Sequence, residues 1–154
     1  MAEDVRVVLE GVKIIWPNFE GRERKFNKEG SRNFCIRLDD MTAQGLLADG
    51  WNVKTYRPNN EDEGDDLSFY YLQINVQFRF QPPTVVIVSE DNRVILDEED
   101  YAMLDWADFS NVDVIFRAYD WSLASGASGR KAELTKMFAT INQDPLDQKY
   151  KMYG

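Results

Sequence analysis

The chain has 154 residues and a mass of 17.9 kDa, which is the size of one domain, and its hydrophobic and charged fractions of 44% and 29% are typical of a folded protein. It has no histidine and one cysteine, Cys35, which excludes internal disulfides, thiolate or imidazole zinc sites and every mechanism with a histidine base. No apolar stretch reaches the roughly 20 residues that span a bilayer, and the start MAEDVRVVLEG lacks the features of a signal peptide. We therefore expect a cytoplasmic location.

The formal net charge of -9 argues against general attraction to polyanions. The charge is unevenly distributed, however. Residues 1–60 hold 10 basic and 9 acidic side chains, whereas residues 61–154 hold 8 and 18. The segment Gly21–Arg32 has five basic residues against two acidic ones and is the most basic window of the chain.

The first third of the chain predicts two strands and a short helix. Alternating apolar residues indicate a long strand over Val5–Trp16, with a glycine bulge at Gly11, and a second strand ending at Leu38. The basic segment is then a loop between the two strands. Asp39 or Asp40 can cap a helix over Met41–Ala48, which Gly50 ends, and Trp51–Tyr56 is predicted to be extended.

The middle of the chain predicts a loop, a long strand and a hairpin. Asn59–Asp66 has no apolar residue and five acids, as in a flexible, solvated loop. Phe69–Phe80 alternates apolar residues with Tyr71, Gln73, Asn75, Gln77 and Arg79. Thr84–Ser89 and Arg93–Leu96 are predicted to pair as a hairpin.

The last third predicts a helix and two strands. A helix of about ten residues begins after its cap Asp97, with Trp106 and Phe109 as core residues. Val112–Tyr119 forms a strand and Ser122–Arg130 a flexible turn. Lys131–Ile141 is interpreted as a strand, although its pattern fits a helix almost as well. Residues 142–154 are a C-terminal extension.

This order of elements favours a mainly β protein, an OB-fold-like antiparallel barrel with one or two short helices and an inserted hairpin. The whole chain, 1–154, is then one domain. In an OB-fold, ligands lie across the second and third strands, between the first and last inter-strand loops. Here those loops are Pro17–Ser31 and Ser122–Arg130, and both carry basic residues.

Aromatic and cationic side chains alternate in the first of these loops. Bases stack on aromatic rings at roughly 1–3 kcal/mol each, with little regard to sequence, while cations contact phosphates. The candidate binding residues of this loop are Trp16, Phe19, Arg22, Arg24, Lys25, Phe26, Lys28 and Arg32. The alternative is that Trp16 and Phe26 only anchor the loop on the core.

Three smaller groups have the same character. The candidates are Trp51, Lys54, Tyr56 and Arg57 at a strand end, Tyr71 and Arg79 on the long strand, and Trp121, Arg130 and Lys131 at the last loop. The strand residues and the amides between them are also consistent with a simple solvated face, and Trp121 with a cap on the barrel mouth.

No catalytic constellation appears. Glu61–Asp66 lacks the ligand spacing of a metal loop, and Asp97–Asp100 is better explained as a helix start. In Gly126–Lys131 the lysine is one residue out of step with a phosphate-binding loop. Cys35 is interpreted as a small core residue. We expect no enzyme activity, cofactor or metal.

Several stretches resemble the small single-stranded DNA-binding proteins of tailed bacteriophages. They are IIWPNFEG (14–21), FNKEGSRNF (26–34), DGWNVK (49–54), LDWADFSNVDVIFRAYDW (104–121) and GRKAELTKMFATI (129–141). The resemblance implies an OB-like fold and non-catalytic binding of single-stranded DNA in phage replication or recombination, in the host cytoplasm. Phage replication or recombination proteins are the implied protein partners. Unlike bacterial single-strand binders, the chain has no strongly acidic segment after Thr140.

The sequence therefore predicts a sequence-tolerant binder of single-stranded DNA. The competing hypothesis is a protein-interaction module, a replisome or virion adaptor, which would use the acidic surface of the second half of the chain.

Overall fold

The computed structural model describes residues 5–22, 30–58, 68–79, 81–89 and 92–141, which are mainly β-strands. The strands are β1 Arg6–Leu9, β2 Lys13–Asn18, β3 Arg32–Leu38, β4 Val53–Tyr56, β5 Phe69–Val76, β6 Thr84–Ser89, β7 Asn92–Ile95, β8 Phe109–Ser122 and β9 Ser128–Ile141. The described helices are α1, Asp40–Ala48, and a 3-10 helix, Glu98–Asp105. No described helix has the length and hydropathy needed to cross a bilayer.

The nine strands of the described residues belong to one sheet, whose main path runs β1-β8-β9-β5-β3-β2. β4 pairs with β5, β6 pairs with β9, and β7 pairs with β6. The two end strands of the path, β1 and β2, are consecutive in the chain, and β5 and β9 meet in parallel at Ile74 and Ala132. The predicted OB-like architecture is present, but the sheet does not close into a full barrel by hydrogen bonds.

The long first strand is divided into two, which corrects the prediction for Val5–Trp16. β1 pairs with β8, and β2 pairs with β3. Gly11, at φ +63, lies between them in a backbone conformation that glycine adopts without steric penalty. The chain thus changes sheet neighbours at the glycine, where the sequence predicted only a bulge.

The core lies on the inner face of the sheet. Leu72, Ile74 and Val76 of β5 are buried, as their alternation predicts, and pack with apolar residues of β3, β8 and β9. The strand is shorter than predicted, since it ends at Val76 rather than Phe80. Residues 73 and 75 therefore project from the opposite, outer face.

Several predicted elements are confirmed with shifted bounds. The 84–89 strand and its hairpin partner are present. The segment 131–141 is a strand, paired antiparallel with β8. Both strands of that hairpin are longer than predicted, so the turn between them is only 123–127.

The two helices differ from each other in how they start. The Asp39 carboxylate accepts a hydrogen bond from the amide of Thr42, which confirms it as the cap of α1 and lowers its pKa. Asp97 makes no such bond, and the helix after it is eight residues of 3-10 type rather than about ten α-helical residues. The predicted acidic loop Asn59–Asp66 and the extension 142–154 lie outside the described residues.

Candidate nucleic-acid interface

The outer face of β3, β4 and β5 carries most of the described candidate residues. In the registers of these strands, Tyr71 lies opposite Arg37 on one side and Lys54 on the other. Further along, Asn75 of β5 lies opposite Glu133 of β9. These pairs project on one face because strand side chains alternate, so the face runs continuously from β2 to β9.

Four rings form a partly exposed group on this face, the aromatic cluster: Trp16, Tyr56, Phe69 and Tyr71. The Trp16 ring lies 4.9 Å from Tyr71 and 5.3 Å from Tyr56, both edge-to-face. Phe69 lies 5.1 Å from Tyr56. Although three rings contact it, Trp16 is still 44% exposed. A flat, partly exposed ring held by its neighbours is the kind of platform on which a base stacks.

Trp16 also has an unusual backbone. Its φ is +48, the one positive value among the described non-glycine residues. Bulky residues rarely adopt this conformation, which costs about 1–3 kcal/mol. The pairing of β2 with β3 shifts register between Ile15 and Asn18, so the strain accompanies an irregularity that turns the indole toward Tyr56 and Tyr71.

Beside the cluster lies a groove of about 1090 Å³, the cationic groove. Its basic lining residues are Arg32, Lys54, Arg79 and Lys131. Among the described residues, no carboxylate forms an ion pair with Lys54, Arg79 or Lys131. These three side chains are exposed and are thus available to a polyanion.

Lys54 connects the two features. It lines the groove and, in the β4–β5 register, lies opposite Tyr71 of the aromatic cluster. The outer face of β5 therefore passes from rings at Phe69 and Tyr71 to amides at Gln73, Asn75 and Gln77. At about 3.3 Å per residue, residues 69–77 extend roughly 26 Å, enough for several nucleotides.

Arg32 is held at one wall of the groove. Its guanidinium lies 4.8 Å from the centre of the Phe78 ring and 3.7 Å from the Glu98 carboxylate. This ion pair is long and partly exposed, so it contributes little stability. A phosphate in the groove would meet an arginine that is already oriented.

Hydrogen bonds hold the two ends of the basic segment, where it joins β2 and β3. Asn18 bonds through its side chain to both the amide and the carbonyl of Arg22, and the Gly30 amide donates to the Gly21 carbonyl at 2.7 Å. Asp105 accepts from the amides of Phe19 and Glu20 at 2.7 and 3.1 Å. The predicted site residues Arg24, Lys25, Phe26 and Lys28 lie outside the described residues.

Two aromatic candidates are in the core, which corrects the prediction of base stacking for both. Phe19 is 0% exposed and stacks on Phe34 at 4.8 Å. Trp51 is 3% exposed and packs edge-on against Phe116. Because both rings are almost fully buried, neither offers a face on which a base could stack.

The other candidates have mixed environments. Arg130 is bound by Asp120 through two nitrogens and lies over Trp51, so its charge is largely satisfied within the protein. Arg22 pairs with Glu20 and lies 5.1 Å from the Trp106 ring centre. Arg57 is exposed just after β4. Trp121 lies flat over Gly129, where a Cβ would approach the ring within 2.7 Å.

The sequence analysis missed three aromatic residues of this interface. Phe69 belongs to the aromatic cluster, and Phe78 and Tyr119, the latter 54% exposed, line the groove. Trp106, predicted to be core, is 73% exposed. Tyr119 lies opposite Lys131 in the β8–β9 hairpin, which places a ring beside a cation. The sequence could have indicated this pair only if the register of the hairpin had been known.

Other chemistry finds no support among the described residues. Burial raises the pKa of the Cys35 thiol to about 11, so the thiol is protonated at neutral pH and is a poor nucleophile. Burial also raises the pKa of Tyr71. Across the described ranges, no group of three or more potential ligands is placed to hold a metal ion.

An OB-like sheet whose outer face combines aromatic rings, basic side chains and amides is typical of proteins that bind single-stranded nucleic acids. The family model of the phage ssDNA-binding domain matches residues 2–153. The chain belongs to this family, whose activity is binding of single-stranded DNA. No curated protein sequence matches the chain.

Solved structures from bacteriophage Enc34 have the same fold. Its single-stranded DNA-binding protein in complex with ssDNA is 11% identical, with a TM-score of 0.55, and the match covers 91% of this chain and 88% of that one. A second structure of the same phage protein is also 11% identical to this chain, with a TM-score of 0.55. The match covers 97% of this chain and 90% of that one. At this identity the likeness shows the fold alone.

Proposed function

We propose that the protein binds single-stranded DNA along the outer face of β3, β4 and β5, with little preference for sequence. Bases stack on the aromatic cluster, and phosphates contact the basic residues of the cationic groove. The observation that carries the proposal is the continuity of the two features through Lys54, which lines the groove and lies opposite Tyr71.

The charge of the groove supports this assignment despite the acidity of the whole chain. Of the basic residues in its lining, Arg32 alone pairs with a described carboxylate, and that pair is 3.7 Å long. The lining also contains three carboxylates, each with a basic partner: Glu133 with Arg117 at 2.8 Å, Glu20 with Arg22, and Glu98 with Arg32. The local field at the groove is thus more positive than the net charge suggests.

The direct test is a fluorescence titration of the purified protein with oligothymidylate and with duplex DNA at two salt concentrations. Base stacking on Trp16 should quench tryptophan emission, and the single strand should bind more tightly than the duplex. Absence of binding to unpaired oligonucleotides in dilute buffer would exclude the proposal.

We also propose that binding is non-catalytic and serves phage DNA replication or recombination in the host cytoplasm, through one domain that includes the whole chain. Membership of the phage family supports this role. Incubation of end-labelled DNA with the protein and magnesium tests the absence of catalysis, since any shortened product would contradict it.

A further inference from the structure

The floor of the cationic groove differs chemically from its rim. We call the exposed cations Lys54, Arg79 and Lys131 the rim, and the neighbouring polar lining residues Gln73, Asn75, Gln77 and Glu133 the floor. Glu133 is only 8% exposed and lies opposite Asn75 in the β5–β9 register. A buried carboxylate is unexpected in the lining of a site for a polyanion: Arg117 offsets its charge, but its oxygens can only accept hydrogen bonds and so cannot bind a phosphate.

The hydrogen bonds of Glu133 leave one of its oxygens free for a ligand. Oε2 accepts from Arg117 at 2.8 Å and from Gln77 at 3.1 Å. Among the described residues, no donor bonds to Oε1. Arg117 divides its guanidinium between this carboxylate and Gln81, which lies 2.6 Å away. The cross-strand ion pair therefore accounts for one oxygen of Glu133 and not for the other.

The neighbouring amides add further acceptors. Gln77 donates through its Nε2 to Glu133, so its carbonyl oxygen remains available. Gln73 likewise donates through Nε2, to Asn75 at 3.0 Å, and keeps its own carbonyl oxygen. The floor thus offers free acceptors at the two glutamine carbonyl oxygens and Glu133 Oε1, beside the remaining N–H donors of the three amides; Glu133 Oε1 is the one acceptor that carries charge.

We propose that this floor is a base-reading subsite that prefers bases with an exocyclic amino group, with Glu133 Oε1 as the acceptor. The proposal rests on the function proposed above. The exposed cations Lys54, Arg79 and Lys131, which form no ion pair with a described carboxylate, attract the phosphates to the rim, so the bases face the floor. Cytosine presents an N4 amino group, whereas thymine presents a carbonyl oxygen at the same position. Most of the bound DNA is then held with little preference for sequence, and the base at this one position is selected by its exocyclic amino group.

Homopolymers of matched length test the preference without altering the protein. We expect wild-type protein to bind a cytosine 12-mer on the order of tenfold more tightly than a thymine 12-mer, as a hydrogen bond to a charged group allows. A 12-mer of N4,N4-dimethylcytosine, which has no N–H donor at that position, should lose this advantage. Equal affinity for cytosine and thymine, or undiminished binding of the dimethylated strand, would overturn the inference.

The Glu133→Gln variant supplies the matched protein arm. Arg117 still requires an oxygen, so the amide group of the variant faces the groove as a donor, and the ratio of cytosine to thymine affinity should fall to one or below. An unchanged ratio in the folded variant would contradict the assignment. If no oligonucleotide binds to wild-type protein, the proposed function fails instead, so the two failures are distinguishable.

Discussion

The side chain of Trp16 combines solvent exposure with a strained backbone. Its ring contacts with Tyr56, Phe69 and Tyr71 hold the residue at φ +48, and each edge-to-face contact contributes about 0.5–1.5 kcal/mol. Burial alone does not explain this arrangement, because much of the indole remains in water. Strained residues with exposed functional groups concentrate at binding sites.

We therefore expect Trp16→Ala to weaken binding of single-stranded DNA by about 1–3 kcal/mol, because one stacking platform is lost. Equilibrium titration monitored by fluorescence anisotropy measures the change. Trp106→Ala is the matched control, since Trp106 is an exposed tryptophan outside the groove lining. Equal losses in the two variants, or none for Trp16→Ala in a folded protein, would assign Trp16 a structural role.

Gly129 determines the position of another tryptophan. A Cβ at this residue would lie 2.7–2.9 Å from three atoms of the Trp121 ring, which cannot be accommodated without movement of the indole. We expect Gly129→Ala to lower the free energy of unfolding by about 1–3 kcal/mol, as overpacking does, and to shift the tryptophan emission. Urea denaturation gives both quantities.

Gly45 provides the control for that substitution. It lies exposed within α1, and a Cβ there meets no atom within 4 Å. Gly45→Ala should raise the free energy of unfolding by about 1 kcal/mol, because alanine has the higher helix propensity. Destabilisation by both substitutions would show that the contact with Trp121 is not the cause.

The 3-10 helix, although short, anchors the segment that links β2 and β3. Asp105, near its end, accepts two backbone hydrogen bonds from the residues that follow β2, and Glu98, at its start, contacts Arg32 as β3 begins. The helix thereby holds both ends of the segment that links β2 and β3. The residues it contacts are 66 to 86 positions away in the sequence.

Asp105→Ala should lower the free energy of unfolding by about 1–3 kcal/mol, because two amides lose their acceptor. It should also weaken DNA binding, although the variant removes a negative charge and simple electrostatics would strengthen it. Denaturation and anisotropy titration measure the two effects. Glu99→Ala, which replaces an exposed acid of the same helix, is the control and should leave the free energy of unfolding nearly unchanged. If Asp105→Ala binds DNA more tightly than the wild type, Asp105 does not position the segment between β2 and β3 for binding.

The whole molecule carries a net charge of -9, yet its cationic groove presents four basic residues on one face. If about four phosphates are neutralised there, the logarithm of the affinity should fall with the logarithm of the salt concentration with a slope near roughly -3. Titrations over a series of salt concentrations give this slope. Binding that is independent of salt would show that stacking alone holds the strand.

The sequence determined the strands whose side chains alternate regularly, such as Thr84–Ser89 and the buried series of β5, because periodicity is a local property of the chain. It also indicated the family through similar stretches along the chain. The mixture of aromatic and basic residues near Trp16 and Tyr56 could be recognised for the same reason, because the composition of a short segment is read directly from the sequence.

The tertiary structure alone decided which of those rings are exposed. Phe19 and Trp51 are buried while Trp106 is exposed, because burial depends on which distant strands pack over a side chain. The division of the first strand between β8 and β3 is equally non-local, since it depends on partner residues at least 15 positions away in the sequence. The polar floor around Glu133 forms only where β5 and β9 meet, and these strands are too far apart in the sequence for a local pattern to predict their pairing.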